Sequence, residues 1–91
     1  MKKCLKVTIR SNVDNAALCD KIQAIARESG IEGTVQMQEN GIIIIACGEK
    51  EIIDDFLDEI HKGVGGVIPE DVHVEPFLRE KDYRGIFRIL E

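Results

Sequence analysis

Asn40-Gly41-Ile42-Ile43-Ile44-Ile45-Ala46-Cys47-Gly48 is the stretch on which the fold turns. An Asn-Gly pair supplies the two positive-φ residues that a tight hairpin needs. The β-branched run after it suits a pleated strand and is too short for a buried helix. Gly48 predicts its end. Immediately upstream, Thr34 to Gln38 reads as the partner strand, with Val35 and Met37 on one face.

Further upstream, Leu5, Val7 and Ile9 alternate with Lys6, Thr8 and Arg10, a half-buried first strand. Ser11 to Asn15 is rich in helix-capping residues. From Ala16 the period changes: Leu18, Ile22, Ile25 and Ala26 form one helical stripe that Gly30 stops. Downstream, Glu49 to Lys62 is a second helix with Ile52, Ile53, Phe56, Leu57 and Ile60 on its apolar side, ended by Gly63. Val64 to Pro69 is a Gly-containing loop. Val72 and Val74 mark a fourth strand that stops near Pro76, Arg79 to Arg84 is a charged loop, and Ile86 to Leu90 is a short last strand. The order is β-α-β-β-α-β with a tail strand, read as one domain over residues 1–91. Right-handed crossovers put both helices on one face of a mixed, mostly antiparallel sheet, an α+β, ferredoxin-like sandwich.

A sheet with one open face should alternate apolar and polar residues. Ile42 to Ile45 does not, so two of these isoleucines point to the uncovered side. Apolar surface of this kind predicts a homodimer or a protein partner there. The competing expectation is that the stems of Lys6 and Arg10 cover it.

The formal net charge of −5 and pI of about 5.0 lack the basic footprint of a nucleic-acid binder and offer nothing to an anionic membrane. Met1-Lys2-Lys3 opens like a secretory signal, but no apolar core follows, and the longest apolar run, Ile42 to Cys47, cannot span a bilayer. A cytoplasmic location is the default. Cys4, Cys19 and Cys47 are odd in number and widely spaced, which predicts reduced, packed thiols rather than a disulfide framework or a zinc site. His61 and His73 are too far apart to suggest a metal, and no cofactor is expected. Glu51, Asp54, Asp55, Asp58 and Glu59 read as a solvated helix face.

Several segments resemble the acylphosphatase family. Gly30-Ile31-Glu32-Gly33-Thr34-Val35 is similar to its Gly-Leu-x-Gly-x-Val segment, and Asn40-Gly41 sits at its hairpin. Gly48-Glu49-Lys50-Glu51, Phe56-Leu57 and Lys62-Gly63 resemble its second helix. Val72-His73-Val74 and Tyr83-Arg84-Gly85-Ile86-Phe87-Arg88-Ile89 resemble its closing strands. The likeness runs from about Leu5 to Leu90, although the hairpin's return strand looks a residue shorter than usual.

The resemblance implies hydrolysis of acyl phosphates without a covalent intermediate. A Gly-rich loop and an Arg hold the phosphate at a helix N-terminus, and an Asn positions water. The family loop reads Gly-Arg-Val-Gln-Gly-Val-Gly-Phe-Arg. Here the stretch is Ser11-Asn12-Val13-Asp14-Asn15-Ala16-Ala17-Leu18-Cys19, the candidate anion-binding loop, with only Val13 kept. Cys19 stands at the Arg position and Met37 at the Asn position. Asp14 adds a negative charge beside the anion. Losing one preorganised donor costs about 10²–10³ in rate, so losing both groups should leave little activity.

Three readings follow. The leading one is a non-catalytic acylphosphatase-like domain that binds a protein or a phosphate-like anion. The second is a weak acylphosphatase in which Arg10 or Asn12 swings into the loop, or Asn15 or Gln38 positions water. The third is an unrelated ferredoxin-like regulatory or interface domain. Cys19 as a nucleophile near a helix start is a further idea, against which stands the lack of a nearby His in the sequence.

Overall fold

The computed structural model describes residues 2–10, 15–63, 72–78 and 84–90. Its elements are β1 (Lys2–Arg10), α1 (Asn15–Glu28), β2 (Glu32–Gln38), β3 (Gly41–Glu49), α2 (Lys50–His61), β4 (Val72–Pro76) and β5 (Phe87–Leu90). The five strands form one sheet in the order β4-β1-β3-β2-β5. All neighbours are antiparallel except β5, which runs parallel to β2. The predicted α+β sandwich is the observed one.

β3 starts at Gly41, directly after the hairpin, and continues through the predicted stop at Gly48 to Glu49. The extension follows from its partner: Lys2 and Lys3 of β1 still pair with Glu49 and Gly48. Glycine is required at two places in the hairpin strands. Gly41 has φ of 155°, and a Cβ there would collide with the Ile9 carbonyl of β1; Gly33 has φ of 142° and would collide with the Ile45 carbonyl of β3. Both mark close backbone approaches that only a missing side chain permits.

α1 ends in a Schellman motif. The Ile31 amide donates to the Ala26 carbonyl at 2.9 Å and the Gly30 amide to Arg27 at 3.3 Å, with Gly30 at φ 73°. This turn aims β2 back along the sheet. Register assigns the faces: Leu5, Val7 and Ile9 pair with Ala46, Ile44 and Ile42, and all six are buried against the helices. Leu18, Cys19, Ile22 and Ala26 of α1 and Ile53, Phe56 and Ile60 of α2 complete the core with Val35 and Phe87. The Gln23 amide donates to the Phe87 carbonyl at 3.1 Å, tying α1 to β5. Each large side chain so buried contributes about 1.5–3 kcal/mol.

The other face carries Lys6, Thr8, Ile43 and Ile45, as the alternation of β1 and β3 requires. Ile43 and Ile45 are half-buried rather than exposed. Lys6 reaches across to Glu75 of β4 at 3.8 Å.

The cysteines depart from expectation. Cys4 and Cys47 oppose each other on β1 and β3 and form a disulfide, with Cα atoms 4.1 Å apart; Cys19 alone is free. Close opposition is typical of a non-hydrogen-bonded antiparallel pair. Spacing along the chain could not show it, because the β1–β3 register is a long-range property.

Candidate functional site

β1, β2 and β5 all finish at one end of the sheet, where α1 begins. This rim brings together Arg10, the start of α1, Met37 and Gln38, and the hairpin at Asn40. Ser11, Asn12, Val13 and Asp14 of the predicted loop lie outside the described residues. Asn15, Ala16, Ala17, Leu18 and Cys19 form the first turns of α1.

The first turn of α1 carries no acidic residue, so the positive end of the helix dipole is not neutralised from within the helix. Asn15 sits at that end with its side-chain oxygen buried and without a hydrogen-bond partner. Ala16 and Ala17 face outward, and Leu18 joins the core.

Cys19 is 1% exposed, packed among the core side chains of α1. Burial, with a smaller contribution from the neighbouring Asp20 carboxylate, pushes its thiol pKa up. A protonated, enclosed thiol is a poor nucleophile, which removes the catalytic-cysteine idea. Met37 is 44% exposed, an apolar side chain on the helix side of β2 beyond Val35.

The substitutes considered for a weak enzyme are not all on the right side. Arg10 and Gln38 alternate onto the open face of the sheet. There they line a cleft of about 310 Å³ with Thr8, Asn40 and Ile43. The sheet separates them from α1.

Elsewhere, Glu28, Asp55, Asp58 and Glu59 border a groove between the helices, balanced by Lys62, and Lys62 pairs with Glu59 at 3.4 Å. Among the described residues no three potential metal ligands converge. His61 uses its Nδ1 on the Leu57 carbonyl at 2.9 Å. No described helix is long and apolar enough to cross a membrane.

A family model described as acylphosphatase matches residues 5–89. The chain belongs to the acylphosphatase family.

Solved acylphosphatases share its fold. The enzyme from Coxiella burnetii is 22% identical with a TM-score of 0.83, covering 98% of this chain and 93% of that one. The acylphosphatase from Bacillus subtilis is 17% identical with a TM-score of 0.82, and both chains are covered completely. Full-length HypF, in a phosphate- and nucleotide-bound form, is 20% identical with a TM-score of 0.86; it covers all of this chain, which spans only 12% of HypF. The fold thus spans nearly all of some of these chains and a small part of HypF. No curated protein sequence matches the chain.

Missed in the sequence were the disulfide and the cleft beside Arg10. Strand alternation does put Arg10 and Gln38 on the open face, and that signal was available.

Proposed function

We propose that this acylphosphatase-family chain is a non-hydrolytic binding module. The observation that carries this reading is Cys19. At the position that matches the family's phosphate-binding Arg, the chain has a neutral thiol facing the core. Met37, at the position matching the water-positioning Asn, offers no hydrogen bond.

What supports anion binding is the start of α1. Its dipole favours a phosphate-like group, while the missing cation makes the affinity weak. The segment Ser11 to Cys19 is the proposed anion-binding loop. A protein partner or a second copy at Ile43 and Ile45 is the subordinate reading. Their partial burial lessens the need for a cover.

Benzoyl phosphate tests the reading. The purified protein should hydrolyse it no faster than buffer does, with Cys19→Ala unchanged. Turnover above buffer that falls in an Asn15→Ala variant would establish a working enzyme with altered groups. Cys19→Arg combined with Met37→Asn should raise turnover by about 10²-fold if the loop backbone still fits phosphate. A flat response would place the defect in the backbone of the loop as well.

A further inference from the structure

The end of the sheet away from that rim holds an unassigned reactive group. The Cys4–Cys47 disulfide lies on the open face, and its two residues differ in exposure: Cys47 is 2% exposed, whereas Cys4 is only half-buried. A cavity of about 340 Å³ adjoins both cysteines, walled by Lys2, Lys3, Phe77 and Leu78. The wall is apolar on one side, with Leu78 86% exposed, and cationic on the other. No described carboxylate lines it, and Glu49 lies opposite Lys2 at its border. Lys3 is held by Asp54 at 2.8 Å, and Lys2 is exposed.

We propose that the Cys4–Cys47 disulfide is an exchange site for small thiols that carry carboxylates, attacked at Cys4 from this cavity. A thiolate forms a bond to the Cys4 sulfur, the Cys4–Cys47 bond breaks, and Cys47 leaves as a thiolate that takes a proton from water. A second small thiolate then attacks the sulfur that the first one brought, the bond from that sulfur to Cys4 breaks, and Cys4 leaves as a thiolate that takes a proton from water. Two small thiols end as one disulfide, and the protein gains the two electrons as a dithiol. Lys2 holds a carboxylate of the incoming thiol, and Phe77 and Leu78 contact its carbon chain.

The rest of the structure allows the bond to open. Nine opposed residue pairs join β1 and β3, and the Phe77 amide donates to the Cys4 carbonyl at 3.2 Å, so the strands stay together without the cross-link. Disulfides in reducing compartments belong mostly to this exchangeable class, whereas in an oxidising one the bond would remain closed.

Charge makes the idea testable. The whole chain carries a net charge of −5, which repels anions, while the cavity wall attracts them. The oxidised protein is mixed with glutathione, an anionic thiol, or cysteamine, a cationic one. Iodoacetamide then stops the reaction, and peptide masses locate the adducts. The expected result is glutathione on Cys4 with carbamidomethyl on Cys47. Corrected for thiolate fraction, the glutathione reaction should run about tenfold faster than that of cysteamine at low salt. Lys2→Glu should reduce that ratio severalfold, as should high salt. An adduct on Cys47, no adduct on either residue, or a cysteamine rate equal to or above that of glutathione would each overturn the proposal.

Discussion

Where β1, β2 and β5 end, the groups that would meet a ligand are loosely held: Asn15 keeps an unpaired oxygen, Met37 is exposed, and Arg10 has no ion-pair partner among the described residues. Where the same strands begin, the chain is tied repeatedly. The Cys4–Cys47 disulfide, the Lys3–Asp54 pair at 2.8 Å with Lys50 on the same carboxylate at 3.2 Å, and the Gly85 amide on Glu32 at 2.8 Å all lie there. The fold needs strand ends joined somewhere, and here the joining is concentrated away from the ligand rim. The rim is therefore free to change its chemistry. Cys19, at the position of the family's Arg, packs into the core without disturbing the sheet.

Cutting the ties at the second end should produce the largest loss. The disulfide closes a separation of 43 residues, which corresponds to about 4 kcal/mol in the chain-entropy account. Cys4→Ser should lower the urea midpoint accordingly. A loss near zero would mean that the backbone ladder alone fixes β1 on β3 and that the two ends differ less than they look.

At the first end, Gly41→Ala should cost roughly 3 kcal/mol, because a methyl group would meet the Ile9 carbonyl in a backbone conformation that disfavours side chains. Here the sensitive element is backbone, not a side-chain tie. A tolerated Gly41→Ala would show that the hairpin can shift, and that the rim is soft in its main chain as well.

The smallest effect belongs to Asp54. Hydrogen bonds from Lys3 and then Lys50 hold its pKa below the ordinary 3.8. The contribution is therefore present above that value and is lost as pH falls through the lowered one. The carboxylate is exposed, so the effect is small. Comparing the urea midpoints of the native chain and Asp54→Asn should show a gap at neutral pH that closes well below 3.8.

Much of this architecture was legible in the sequence because it rests on short-range patterns. Asn40-Gly41 marked the hairpin, although its two-residue loop is Glu39-Asn40 and Gly41 already pairs with Gln38 in the sheet; Gly30 marked the turn after α1, and the 3.6-residue stripes the two helix faces. Reading two of the four isoleucines from Ile42 to Ile45 as open-face residues held, and they are Ile43 and Ile45, but their exposure depended on neighbours in other strands. The Cys4–Cys47 pairing failed for the same reason: β1 and β3 meet across an intervening helix and strand, and no local signal sets their register. At the candidate site, the resemblance alone puts Cys19 and Met37 at the family's Arg and Asn positions. That Cys19 lies inside the core and Arg10 on the opposite face required the packed structure.

The isoleucine strand has a last consequence. β3 is the middle of five strands, with β1 on one side and β2 on the other, so both rows of its backbone groups are used. Its amides between Ile42 and Ile45 should exchange with solvent deuterium only when the whole domain opens. The residues that first suggested a surface for a partner are thus the clock by which the lifetime of the folded state can be read.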